Sequence, residues 1–308
     1  MIQAGFPLEN LDRASKSSIR LRLLATIAII FSFGYVDLSP SQSALILTNP
    51  APNLISQVDA SAAYDIRPAD KDANPLHRMD QTPIEPVREM LGQVDPERVL
   101  ADLRRLTGVE PICTSDGCYT ITNRETGRED LPSEGLEWAK DYVYETLVAL
   151  GYSVEILDWS REGYADQNII ARKQGEIYPD QEIYFIAHLD GYLLNNPAAD
   201  DDASGSVSLL ELSRILSNRT LAYTVVIFFS TGEEHGSLGS RSFVEAYPER
   251  LGAIKYLVSV EMLGFDSNDD GKMELWNGDQ PLDFVQRLAE IITAYRINLV
   301  PEIVSGCT

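Results

Sequence analysis

The apolar positions of this chain change period along its length. Between residues 95 and 108, Val99, Leu100, Leu103 and Leu106 recur at one-turn spacing, behind Asp95 and Pro96 and ahead of Gly108. That order predicts a helix capped by Asp95, opened by the proline and closed by the glycine. A second helix is predicted from Ser133 through Leu136, Val143, Leu147 and Leu150 to Gly151. Further on, the runs EIYFIAH at 182–188 and YTVVIFFS at 223–230 are continuous and short, the pattern of strands buried on both faces. Strands are expected near 153–159, 167–173, 182–188, 223–230 and 254–262, with helices near 204–217, 237–246 and 280–295. Such alternation predicts an α/β fold, a sheet covered by helices. No internal repeat is visible.

The first 85 residues have a different character. Arg13, Lys16, Arg20 and Arg22 precede an apolar run from Leu23 to Val36, a length that suits a signal-peptide core better than a spanning helix. Residues 1–44 are therefore expected to be a signal peptide or an N-terminal anchor. Ser41–Ala44 and Ala60–Ala62 are the two small-residue cleavage candidates. Residues 45–85, rich in Pro, Ala, Asp and Asn, read as a linker or propeptide-like segment in which His77 is a bystander. Residues 86–308 form the ordered domain. The chain is expected to be exported, secreted or periplasmic, with membrane anchoring as the alternative and as its only membrane contact.

The formal net charge of −22 over 308 residues argues against nucleic acid or an anionic membrane surface as partner. Cys113 and Cys118 have the spacing of a local disulfide in an exported chain; two unpaired thiols are the bland alternative. Cys307 is left odd.

Two acidic patches carry the chemistry. AHLDG at 187–191 is followed by NPAADDDASG at 196–205, and FFSTGEEHGSLGS occupies 228–240. His188 and the pair Glu233–Glu234 fall at the carboxyl ends of predicted buried strands, where open α/β sheets place their sites. If Asp201, Glu234 and a third acid converge, each carboxylate pair about 4 Å apart costs roughly 4 kcal/mol at an effective dielectric near 20. A divalent cation balances that charge, and a donor set of imidazole and carboxylate without thiolate suits zinc. Singly, each signal has a bland reading: a structural His, a solvated acidic loop, an exposed helix face. Their order, each behind a predicted strand, favours a metal centre.

These motifs resemble the co-catalytic zinc exopeptidases of clan MH, which include secreted bacterial leucine aminopeptidases, glutamate carboxypeptidase and the catalytically silent transferrin receptor. The resemblance spans roughly residues 95–308 and implies a three-layer α/β/α sandwich with a mixed central sheet. It assigns His188 as a metal ligand and Asp190, two residues on, as the acid that orients its ring. In Ala199–Gly205 it places the metal-bridging carboxylate at Asp201, with Asp202 standing where relatives commonly have Asn. Gly232-Glu233-Glu234 supplies the general base, Glu233, and a further ligand, Glu234. LVSVEMLGFDSN at 257–268 places the next ligand at Glu261, where many relatives have Asp.

The implied activity is an aminopeptidase reaction: hydrolysis of a peptide bond at the free N-terminus of a peptide or protein, with two Zn²⁺ ions and Glu233 as base. The alternative is a non-catalytic binding domain on the same fold. It arises because the family's fifth ligand, a His in an S-D-H segment, has no counterpart after His235. The ending VSGCT resembles the approach to that segment, so the sequence reads as a member with its C-terminal part missing, expected to hold one zinc tightly and a second weakly. A further constellation, DSNDDGKMELWN at 266–277, places Asp266, Asn268, Asp270 and Gly271 at calcium-loop positions, but Asn277 stands where a bidentate Glu belongs. A turn between strands explains it equally well.

Overall fold

The computed structural model describes residues 85–192, 196–266, 270–276 and 282–304. The leader, the linker up to residue 84 with His77, Cys307, and positions 268 and 277 of the calcium-like segment lie outside them. Among the described residues no helix is long and apolar enough to cross a membrane.

The described chain starts with α1 (Glu85–Gly92) and α2 (Pro96–Leu106). In α2 the Asp95 side chain accepts from the amides of Glu97 and Arg98, satisfying donors that the first turn leaves free. A hairpin follows, β1 (Ile112–Thr114) with β2 (Gly117–Tyr119), in which Cys113 and Cys118 face each other and are joined as a disulfide. Next come α3 (Glu134–Ala149), β3 (Ser153–Arg161), β4 (Tyr164–Lys173), β5 (Tyr178–His188) and α4 (Gly205–Ser217). The second half runs through β6 (Tyr223–Ser230), α5 (Leu238–Ala246), the short α6 (Pro248–Leu251), β7 (Ile254–Ser259), β8 (Lys272–Trp276), α7 (Leu282–Ala294) and β9 (Val300–Val304).

Five strands form the central sheet in the order β3-β4-β6-β5-β7. β3 and β4 pair antiparallel and so do β4 and β6, whereas β5 runs parallel to both β6 and β7, making the sheet mixed. On one face Phe185, Ile227 and Phe229 meet α2, α3 and α4 through Leu103, Leu147 and Leu212. On the other, Tyr184, Val226 and Phe228 meet Phe243 of α5. The two faces alternate along each strand, as pleating requires. Full burial of each large side chain contributes about 1.5–3 kcal/mol, which is why the unbroken apolar runs of β5 and β6 end up at the centre. The result is the expected three-layer α/β/α sandwich.

Several elements were not expected. α1 buries Val87 and Met90 completely, although three apolar residues in eight, Val87, Met90 and Leu91, give little periodic signal. β8 and β9 pair in parallel as a separate two-stranded sheet beside α7. Before β8, Asp266 accepts from the amide of Gly271 and Asp270 from that of Lys272, the contacts of a turn leading into a strand.

Candidate metal centre

The parallel strands β5, β6 and β7 finish on the same edge of the sheet. His188, the last residue of β5, pairs with Ser230, the last of β6, and the amide of Val260 just past β7 donates to Ile186. β5 leads through α4 to β6 on one side, and β6 leads through α5 back past β5 to β7 on the other. The centre thus lies where the chain reverses direction across the sheet, the position that open sheets use for ligands.

His188 is almost fully buried and held through its backbone: its amide donates to Asp202 at 3.2 Å and its carbonyl accepts from Ser206 at 2.8 Å. Its Nε2 lies 3.0 Å from Asp201 Oδ1 and 3.9 Å from Glu233 Oε2. Nδ1 is 3.1 Å from the carbonyl of Asp190 and 3.5 Å from its carboxylate. Burial by itself would lower the imidazole pKa, but hydrogen bonds to Asp190 and Asp201 and the nearby charge of Asp202 outweigh it and raise it to about 11.

Donor atoms of His188, Asp201 and Glu234 all lie within 4.8 Å of one another. Glu234 is pushed up to about 7, first by burial and then by the charge of Asp201. Glu233 is raised as well, again chiefly by burial. Such carboxyls hold protons because burial strips their charge of water and neighbouring carboxylates add repulsion. A bound cation relieves that crowding, and one imidazole with two carboxylates is a donor set that zinc accepts.

Of the three consecutive acids, the middle one points into the centre. Asp202 turns away from it, fully buried, and its carboxylate accepts from the amides of His188, Gly205 and Met262. Asp200 accepts from the amides of Gly264 and Phe265. The two outer acids therefore clamp the segment after β7 against the turn that presents Asp201. Glu261, which begins that segment, is exposed; it accepts from Ser259 at 2.8 Å and is not in the grouped set.

The acid pair rides on a single turn, Glu233–His235, entered through Gly232 at φ 75°. A Cβ there would come within 2.7 Å of the Trp159 ring, so the position needs glycine twice over. Trp159 Nε1 in turn donates to Thr231 at 2.9 Å. His235 stacks on Tyr164 at 4.1 Å and is not one of the grouped donors.

Two residues from the stretch between β2 and α3 support the centre without any signal in the sequence pattern. Thr126 Oγ1 donates to Asp190 at 2.9 Å, and the adjacent amide of Gly127 donates to Asp166, which is ion-paired to buried Lys140 of α3. Arg124 is buried behind the centre. Its pKa is lowered to about 10 by burial, against the opposing charges of Asp190, Asp202 and Glu234.

Crowded carboxylates around one imidazole, at the switch point of this sandwich, make a candidate metal centre on a fold like that of the zinc exopeptidases. Residues 168–300 match the model described as Peptidase family M28, so the resemblance seen in the motifs holds. Among curated proteins, the chain is 24% identical over 216 residues to a probable zinc metalloprotease of Pyricularia oryzae, covering 63% of this chain and 40% of that protein. It is 30% identical over 140 residues to leucine aminopeptidase 1 of Pyrenophora teres f. teres, covering 42% of this chain and 36% of the relative. The chain thus spans well under half the length of these two relatives. Among solved structures, LapA of Legionella pneumophila superposes with a TM-score of 0.59 at 22% identity, over 75% of this chain and 62% of that one. A glutaminyl cyclase of Macrostomum lignano superposes with a TM-score of 0.54 at 13% identity, over 75% and 78%.

Proposed function

We propose that this chain belongs to an exported zinc-dependent aminopeptidase that hydrolyses the first peptide bond of peptide or protein substrates. The carrying observation is the convergence of His188, Asp201 and Glu234 within 4.8 Å, with the Glu233 carboxylate 3.9 Å from His188 Nε2. His188, Asp201 and Glu234 would hold the cation, and Glu261 would join them if its exposed side chain turned from Ser259. Zinc, when bound, supplies the charge that polarises a scissile carbonyl and makes water acidic near neutral pH. Two ions are the expected complement of a complete centre.

Glu233 is the general base. Its carboxylate accepts from Ser237 Oγ at 3.4 Å, and its raised pKa suits a group that takes a proton from water and returns it to the leaving amine. Asp190, fully buried, fixes the imidazole and the turn. The Cys113–Cys118 bridge supports an oxidising compartment, and with it export.

The test is the zinc-loaded chain assayed on a leucyl chromogenic substrate, on its N-acetylated form, and on a peptide with N-terminal glutamine. Release from the free-amine substrate alone supports the aminopeptidase. Cyclisation of the glutaminyl peptide, or zinc retention without turnover of any of the three, replaces it with a cyclase or a binding domain.

A further inference from the structure

Arg124 lies between the two segments that supply the metal donors. Its side chain is 1% exposed, and its guanidinium is spent on backbone carbonyls. Nε donates to Leu189 at 2.8 Å, Nη2 to Ala198 at 3.0 Å, and Nη1 to Pro197 at 3.1 Å and to Leu106 at the end of α2. Its own carbonyl accepts from the amide of Gly191 at 2.9 Å. Leu189 and Gly191 flank Asp190 and directly follow His188, while Pro197 and Ala198 lead into the turn that carries Asp201. One residue therefore grips both ends of the loop that separates the imidazole from the carboxylate.

The two ends touch. A Cβ on Gly191 would fall 2.4 Å from the Cβ of Ala198. Ala198 sits at φ 48°, and its carbonyl is shared by Arg124 and the amide of Ala203. A planar fork with several fixed donors can reach carbonyls on both sides at once, which a single ammonium on a flexible stem does not. Its charge also opposes the field of Asp190, Asp202 and Glu234.

We propose that Arg124 is a positioning residue for the metal centre: by joining Leu189–Gly191 to Pro197–Ala198 it sets His188 against Asp201, and thereby the zinc affinity, without touching metal or substrate. The inference rests on the reading of that cluster as a zinc site. It is tested on the full chain with Arg124→Met, Arg124→Lys and Gly191→Ala, the last keeping the guanidinium but wedging the loop ends apart. Zinc affinity is measured by chelator competition. Amide exchange at Gly191 and Ala203 is followed by mass spectrometry on zinc-free protein, and thermal melting identifies variants that remain folded.

Arg124→Met is expected to weaken zinc 10- to 100-fold, the range for residues that orient ligands, and to speed exchange at both amides. Arg124→Lys should lose most of the same affinity, and Gly191→Ala should lose affinity with Arg124 intact. A folded Arg124→Met or Arg124→Lys protein that binds zinc as tightly as the unmodified chain overturns the proposal. So does weakened zinc with unchanged exchange, because the effect is then charge and not the clamp. If Arg124→Met does not fold, the Lys and Gly191 variants decide. An unmodified chain that takes up no zinc overturns the metal reading itself, and exchange at the two amides still reports whether Arg124 couples the segments.

Discussion

The backbone amide of Glu234 donates to the carboxylate of Asp190 at 3.2 Å. The acid beside His188 Nδ1 thus also holds the turn that presents the acid pair, and Thr126 completes its coordination at 2.9 Å. Asp190→Asn keeps the shape but removes one acceptor oxygen and the charge. Zinc affinity should fall about 10- to 100-fold, together with a lower melting temperature. Chelator competition and a thermal scan check both, and unchanged affinity would free Asp190 from this role.

Glu233 handles a proton and is not required to hold metal. Glu233→Gln should leave zinc content nearly unchanged while lowering turnover by about 10²- to 10⁴-fold. Metal analysis beside a leucyl-substrate assay decides it; zinc lost along with activity would make Glu233 a ligand instead.

The pH dependence follows from Glu234, whose carboxyl is raised from 4.5 to about 7. A carboxyl with a higher pKa in the folded than in the unfolded state binds its proton more tightly when folded. Its contribution to the stability of the metal-free chain is complete below about pH 4.5 and is lost as pH rises through about 7. Zinc requires the ionised form, so its affinity runs the opposite way and climbs over the same interval. Melting of the zinc-free chain and zinc titrations across this range should diverge, and Glu234→Gln should flatten the divergence.

Cys113 and Cys118 close a short loop at the hairpin, so their bond stabilises by less than the ~3 kcal/mol of a fifteen-residue loop. Material from an oxidising compartment should yield a Cys113–Cys118 peptide in a non-reduced digest, with Cys307 free. Cys113→Ser should lower the melting temperature modestly and leave zinc binding unchanged. A bond from Cys307 to either partner would refute the pairing.

Periodicity and continuity of apolar residues were enough to place α2 to α5, α7 and β3 to β7, because burying those faces is the dominant driving force and leaves its trace in the chain itself. The acidic motifs were legible for the same local reason: His188 and Glu233–Glu234 follow the strand runs that aim them. What the chain could not reveal by itself was partnership across distance. α1, β8 and β9 are too short for a periodic signal and exist through the faces they meet. Which of Asp200, Asp201 and Asp202 faces the imidazole was decided by amides of residues 262–265, brought beside them only when β7 docks on β5. Arg124 and Thr126 belong to an irregular stretch whose residues look ordinary in order, and folding alone buries them against carbonyls and a carboxylate 64 to 74 positions away. The sequence by itself determined the five central strands, most of the helices that cover them, and which side chains were candidate donors. The tertiary structure decided their mutual distances, because hydrogen bonds and charges act through space and carry no period along the chain.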